Sequence, residues 1–133
     1  MLASAHFTVP ALPDGQAAHA HFADRLGGLP HERFCLAFLN QNGVILGEMD
    51  VDGDARSAAA SFRQIMAEAL RLQARAMIVA HNHPGGRAEP SRADMEATRR
   101  LAEVAWTLGI ELRDHLILMP DGRAHSFRAL GLL

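Results

Sequence analysis

The hydrophobic positions of the chain form both continuous runs and helical stripes. Five segments have the length and composition of strands: RFCLAFLN (33–40), VILGEMDV (44–51), AMIVA (76–80), IELRDHLILM (110–119) and AHSFRAL (124–130). The first and third are uninterrupted apolar runs, which is typical of strands buried on both faces of a sheet. Asn42-Gly43 predicts a hairpin turn between the first two strands. The last two strands are expected to meet at the turn Pro120-Asp121-Gly122.

Three segments show the spacing of helices: 16–27, 57–73 and 91–108. In the third, the apolar stripe is Ala97, Leu101, Val104 and Leu108, and Trp106 is expected to pack in the core. The element order α-β-β-α-β-α-β-β predicts one α/β domain over residues 16–133, after an N-terminal arm of residues 1–15.

Composition narrows the class of protein. The chain has 133 residues, of which 49% are hydrophobic, so a folded domain is expected. The net charge of −2 argues against a strongly basic surface for nucleic acid or anionic membrane. Cys35 is the only cysteine, lies in an apolar run and is expected to be buried. With no apolar run of about 18 residues and no signal peptide, we expect a cytoplasmic protein.

The stretch HNHPGGRAEPSRAD, residues 81–94, carries the candidate chemistry. His81 and His83 follow a buried strand, where residues two apart point to the same side. Asp94 stands three residues before Ala97, so it begins the inward stripe of the third helix and needs a partner there. A metal held by the two imidazoles and the carboxylate would satisfy all three groups. Two nitrogens, one oxygen and an open fourth position are typical of catalytic zinc.

A simpler interpretation also fits these residues. Ser91-x-x-Asp94 has the spacing of a helix N-cap, which requires no metal. His-x-His alone is weak evidence, because His19 and His21 have the same spacing in the first predicted helix, where we expect a solvated face. At residues 81–94, however, the pair ends a buried strand and precedes a stiff turn.

The spacing His81-x-His83, seven residues, Ser91, two residues, Asp94 resembles the JAMM motif of JAB/MPN domains. Together with DHLIL at 114–118, it is similar to the RadC branch of that superfamily. The resemblance implies a mixed central sheet flanked by helices, with His81, His83 and Asp94 as zinc ligands. It implies that Ser91 hydrogen-bonds the active-site water or the developing oxyanion and that Glu32, just before the first strand, is the general base. Glu48 is the alternative base.

The same resemblance implies a metallohydrolase that acts on peptide or isopeptide bonds in a peptide or protein substrate. Two alternatives stay open: a DNA-repair-associated protein that binds nucleic acid, which the net charge disfavours, and an inactive JAB-like scaffold. The chain departs from the RadC pattern where Gly85 replaces a serine and where Phe62-Arg63-Gln64 replaces Pro-Arg-Glu. These segments are expected to line the substrate groove, so the substrate is expected to differ. His115 is expected to have a core or hydrogen-bonding role.

Overall fold

The computed structural model describes residues 11–12 and 14–133. Its elements in chain order are α1 (Gly15–Leu26), β1 (Arg33–Leu39), β2 (Ile45–Asp52), α2 (Ala55–Ala60), α3 (Phe62–Arg71), β3 (Ala76–Asn82), α4 (Arg92–Thr107), β4 (Glu111–Leu118) and β5 (Ala124–Ser126). The α/β architecture predicted from the sequence is confirmed. Most of the predicted arm, residues 1–10 and 13, lies outside the described residues.

The strands form one mixed sheet in the order β2-β1-β3-β4-β5. Strand β1 pairs antiparallel with both neighbours, and the hairpin to β2 turns at Gly43, whose φ of 81° favours glycine. Strands β3 and β4 are parallel and are joined by α4, whereas β4 and β5 are antiparallel. The carboxyl end of β3, which carries His81, therefore lies beside the start of β1.

Each face of the sheet packs against its own helices. One face contacts α1 through a buried cluster that includes Phe22, Cys35 and Ile78. The other face contacts α2, α3 and α4 through a cluster that includes Phe34 and Leu101. We call these the α1 face and the α4 face. Because successive strand residues point to opposite sides, the register of β1 and β3 decides which face each functional side chain reaches.

Cys35 is buried on the α1 face, as expected. Burial raises the pKa of its thiol to about 12. This cysteine therefore behaves as a small core residue and not as a nucleophile. Within the described part of the chain, none of the helices combines the length and the apolar character needed to cross a bilayer.

The prediction of one helix over residues 57–73 is wrong in its bounds and its continuity. The chain is already helical from Ala55, where Asp54 caps α2 by accepting from the N–H groups of Arg56 and Ser57. The helix breaks at Ser61, whose N–H donates to Ala58, before α3 begins. The sequence contains no Gly or Pro at this break, so its pattern resembles a single helix.

The apolar stripe predicted for α4 is only partly correct. Leu101 is buried, but Val104 and Leu108 are exposed, and Trp106, expected in the core, is 72% exposed. The buried positions of this helix are Asp94, Thr98, Leu101 and Ala105. The buried stripe continues from Asp94 in steps of three and four residues. It includes Thr98 and Ala105, whose burial is not predicted from hydrophobicity alone.

Candidate metal centre

His81 and His83 bring their Nε2 atoms together at the end of β3. The two atoms are 2.9 Å apart. The His81 side chain has no exposed surface, and Phe34 stacks on its ring with centroids 4.5 Å apart. His83 lies at the rim, with its side chain 11% exposed. The strand thus presents one fixed imidazole from the core and a second that borders solvent.

The far nitrogen of the His83 ring is held by the loop that follows. Gly86 N–H donates to the His83 carbonyl at 3.0 Å, which closes a turn through Pro84. Gly86 has a φ of 84°, a conformation that glycine adopts without strain. This turn brings the Arg87 carbonyl to 2.7 Å from Nδ1 of His83, which must donate to it. In the neutral ring, Nε2 then keeps its lone pair.

A second chain of contacts supports His81 from within the core. Its Nδ1 lies 2.6 Å from Nε2 of His115, and Nδ1 of His115 lies 2.6 Å from the Thr98 hydroxyl oxygen. If each Nδ1 carries the proton, each ring donates to the next group and Nε2 of His81 has a free lone pair. The prediction that His115 has a hydrogen-bonding role is confirmed.

Asp94 contacts both histidines while it also caps α4. Its Oδ2 lies 3.4 Å from Nε2 of His81 and 3.2 Å from Nε2 of His83. The same oxygen accepts from Ser91 N–H at 2.9 Å, and the Ser91 hydroxyl accepts from Asp94 N–H at 2.9 Å. The predicted helix cap is therefore confirmed as a complete capping box. Capping and metal binding are compatible, because one carboxylate oxygen offers more than one lone pair.

Glu32 lies just before β1 and faces the histidines across a cleft. Its Oε1 is 3.8 Å from Nε2 of His83, and one ligand atom from each of Glu32, His81 and His83 lies within 4.8 Å of the other two. The cleft measures about 280 Å³ and is lined by residues of four segments: Glu32, Asp54, Ala55, His83, Pro84, Gly85, Arg87, Glu89, Ser91, Ala93 and Asp94. The side chain of Glu32 is 34% exposed, so water reaches it.

The structure separates the two candidate bases. Glu48 pairs with Ala37 across the β1–β2 ladder, and Ala37 belongs to the α1 face. The carboxylate of Glu48 accepts from Nε2 of His21 at 2.6 Å and lies 3.5 Å from Arg25. Glu48 is thus on the opposite face of the sheet from His81, while Glu32 is beside His83.

The donor set fits a tetrahedral zinc ion. Zinc–ligand bonds of about 2.0–2.1 Å at tetrahedral angles place neighbouring ligand atoms roughly 3.3 Å apart. The three separations among Nε2 of His81, Nε2 of His83 and Oδ2 of Asp94 are 2.9, 3.2 and 3.4 Å. With each Nδ1 protonated, both rings present Nε2 lone pairs, and the third group is a carboxylate. The chemistry and spacing of these donors are compatible with a bound metal ion.

The pKa shifts favour the donor state at His81 and Asp94 but oppose it at His83. Burial lowers the pKa of His81, although Asp94 opposes the effect, and burial holds the pKa of His115 well below its usual range. Burial would raise the pKa of Asp94, but the hydrogen bonds from the two histidines outweigh it and lower that pKa. The hydrogen bond to Asp94 raises the pKa of His83. Protons therefore compete for the site mainly at His83.

The sequence prediction missed two residues that support the site. Thr98 follows Asp94 by one helical turn and forms a hydrogen bond with His115. In the sequence, this role was indicated only by the presence of a polar residue on the buried stripe of the helix. Asn82 is 4% exposed although it lies between the two histidines. The sequence indicated this burial through the alternation of side chains along a strand, which points Asn82 to the face opposite the two histidines. Steric crowding does not explain why Gly85 replaces the serine of the RadC pattern, because a Cβ at this position would meet no atom within 4 Å.

The mixed five-stranded sheet and its helices have the architecture of a JAB domain. Residues 13–132 match the family described as RadC-like JAB domain, and the chain belongs to this family. The resemblance inferred from the His-x-His and Ser-x-x-Asp spacing is therefore confirmed.

Curated relatives agree with this assignment. A UPF0758 protein of Porphyromonas gingivalis is 37% identical over 92% of this chain and 55% of its own length. A UPF0758 protein of Symbiobacterium thermophilum is 40% identical over 89% of this chain and 50% of its own length. The chain thus spans about half the length of the curated relatives it matches. The names of these relatives specify no activity.

Proposed function

We propose that this domain is a zinc-dependent hydrolase of peptide or isopeptide bonds. The observation that carries the proposal is the convergence of two imidazole Nε2 atoms and the Asp94 carboxylate on one point, with Glu32 facing that point across an open cleft. A purely structural cluster of this kind would need neither the open cleft nor a second carboxylate.

Zinc held by His81, His83 and Asp94 would polarise a substrate carbonyl and bring the pKa of a nearby water toward neutrality. Glu32 accepts a proton from a water molecule in the cleft as the oxygen of that water attacks the carbonyl carbon. The same carboxyl group then returns that proton to the leaving nitrogen as the carbon–nitrogen bond breaks. Water is thus added across the bond, and Glu32 ends in its starting state.

Ser91 is the proposed donor to the developing oxyanion. Its hydroxyl oxygen already accepts from the Asp94 N–H, so the position of that oxygen at the start of α4 is fixed. The hydroxyl proton is not used in that bond and can point into the cleft that Ser91 lines. A positioned donor of this type stabilises charge in the transition state without reorganisation.

Glu32→Gln tests the assignment directly. Purified wild type is expected to contain about one zinc per chain by elemental analysis and to cleave members of a pool of quenched-fluorescence peptides and lysine ε-isopeptides. The variant is expected to keep the metal and to lose about 10²–10⁴-fold in turnover. Glu48→Gln is the matched control and is expected to retain wild-type turnover.

Unchanged turnover in Glu32→Gln, or loss of turnover only in Glu48→Gln, would assign the base elsewhere. Zinc bound at full stoichiometry without cleavage of any member of the pool would support the inactive scaffold instead. Absence of zinc from wild type purified without chelator would contradict the metal centre itself.

A further inference from the structure

Asn82 occupies the position where the ladder between β1 and β3 ends. The last pair of that ladder is Phe34 with His81, so Arg33 and Asn82 would form the next pair. At this point the side chain of Asn82 replaces the backbone as the partner of Arg33, and its Oδ1 accepts from Arg33 N–H at 2.8 Å. An amide group carries the same donor and acceptor as a peptide unit, so it can extend the ladder by one step.

The same amide also holds the other side of Glu32. Nδ2 of Asn82 donates to the His31 carbonyl at 2.8 Å and lies 3.5 Å from the Leu29 carbonyl. The two short bonds thus flank Glu32 on both sides. The carbonyl of Glu32 itself accepts from Gly53 N–H at 2.9 Å. The backbone of Glu32 is consequently fixed at three points, while its side chain remains in the cleft.

Asn82 is also tied to the metal ligands, because it stands between them in the same rigid strand. His81 and His83 point toward the α4 face, and Asn82 points the other way toward the loop after α1. Any shift of β3 that moves the histidines therefore moves the amide that holds Glu32. Asn82 is 4% exposed, so water does not readily replace the bonds of its amide.

We propose that Asn82 is a positioning residue that fixes Glu32 relative to the two histidines. This inference rests on the proposed function, in which Glu32 is the base. It predicts that the residue between the two histidines is more than a spacer: an amide is required there. Aspartate has nearly the same shape, but it would present only acceptors and would face the His31 carbonyl without a donor.

The first test measures the hydrogen bonds without using activity. Hydrogen exchange of the Arg33 amide, followed by NMR in wild type and in Asn82→Ala, is expected to accelerate about tenfold, the effect of one lost hydrogen bond. Amides in the middle of β1, such as that of Leu36, are expected to be unchanged. Unchanged exchange at Arg33 in a folded variant would overturn the proposal, whether or not the domain is an enzyme.

The second test asks whether Asn82 acts through Glu32. In Asn82→Ala and in Asn82→Asp we expect zinc content to be retained, kcat to fall roughly 10–100-fold and KM to stay within about threefold. In the Glu32→Gln background, the same substitutions are expected to cause no further loss of the residual rate. An equal loss in both backgrounds, or loss of zinc, would show a general structural role and overturn the proposal.

Asn40 provides a matched control at the other end of β1. Its Oδ1 accepts from the N–H groups of Asn42 and Val44 at 2.8 and 3.0 Å, so it also holds a loop through backbone bonds. Asn40→Ala is expected to leave kcat and Arg33 exchange at wild-type values. If Asn40→Ala lowers kcat as strongly as Asn82→Ala, the positioning role of Asn82 is refuted.

A wild type that binds zinc but hydrolyses nothing contradicts the proposed function. The exchange measurement still decides whether Asn82 holds the loop that carries Glu32.

Discussion

His19-x-His21 and His81-x-His83 have the same spacing but lie in different surroundings. On α1, residues two apart point about 200° apart around the helix. His19 Nε2 accordingly donates to the Gly122 carbonyl at 2.7 Å, and His21 Nε2 bonds Glu48 at 2.6 Å. At the end of β3, the two Nε2 atoms lie 2.9 Å apart. The same two residue types form one site only where the backbone points both rings to one side.

The partners of the two pairs differ as much as their directions. His21 contributes to a half-exposed network with Arg25, Glu48 and Asp50 on the α1 face, where solvent weakens each pair. His81 is fully buried, and hydrogen bonds to Arg87 and His115 orient the two rings of the β3 pair. In the β3 pair the orienting bonds use the Nδ1 atoms and leave both Nε2 atoms facing one point, whereas in α1 the Nε2 atoms themselves are bonded.

The largest expected effect comes from removing one ring of each pair. His83→Ala is expected to lower zinc affinity by more than about 100-fold, because it removes a proposed ligand and not only a supporting group. His21→Ala removes a ring from the other pair and is expected to leave zinc affinity unchanged. Competition with a chromogenic chelator measures both. Equal affinities in the two variants would contradict the distinction between the pairs.

A second comparison separates capping from metal binding. Asp94→Ala and Asp14→Ala each remove an aspartate that bonds the backbone at a helix start, in α4 and α1 respectively. Loss of the cap is expected to lower the free energy of unfolding of the zinc-free protein by about 1 kcal/mol in each variant, and Asp94→Ala also loses the contacts with His81 and His83. Only Asp94→Ala is expected to lose zinc, with affinity falling about 100-fold. Denaturant titration and metal competition give the two quantities, and retained zinc in Asp94→Ala would leave Asp94 as a cap alone.

A smaller effect is expected from the inner end of the hydrogen-bond chain. Thr98→Val keeps the shape but removes the partner of the His115 Nδ1 atom, which is buried. We expect the free energy of unfolding to fall by about 1–3 kcal/mol and zinc affinity to fall roughly tenfold.

Thr107→Val in the same helix is the control for Thr98→Val. The Thr107 hydroxyl donates to the Glu103 carbonyl at an exposed position, so its removal is expected to change stability by less than about 0.5 kcal/mol. Thermal or urea unfolding together with zinc competition measures the pair of variants. Equal zinc affinity in Thr98→Val and wild type would show that the contact with His115 does not support the metal site.

The sequence contained much of this information, but not all of it. The inward position of Asp94 followed from helical spacing, and the convergence of His81 and His83 followed from strand geometry. The proximity of Glu32 could not be derived in that way, because it depends on the pairing of Phe34 with His81, which joins segments 47 positions apart. Glu32 was identified as a candidate base only from the family resemblance. In the structure, the β1–β3 register brings it beside His83.

Other features depend on packing that no local pattern records. Ser61 breaks a helix without any glycine or proline, and Trp106 lies on the outside of α4 although its side chain is apolar. Asn82 resembled a spacer because its partners are backbone groups of a distant loop. Backbone partners leave no side-chain signature in the sequence, so such roles emerge only once the register is known.

The acidic residues of β2 have a consequence for the solution behaviour of the chain. In the described sheet, β2 is an edge strand, and unpaired edges can template the addition of strands from other molecules. Glu48, Asp50 and Asp52 all point to one side of this edge, and charged side chains on an edge strand disfavour the addition of a strand from another molecule. The opposite edge, β5, has three residues. Both edges are therefore poor templates for aggregation.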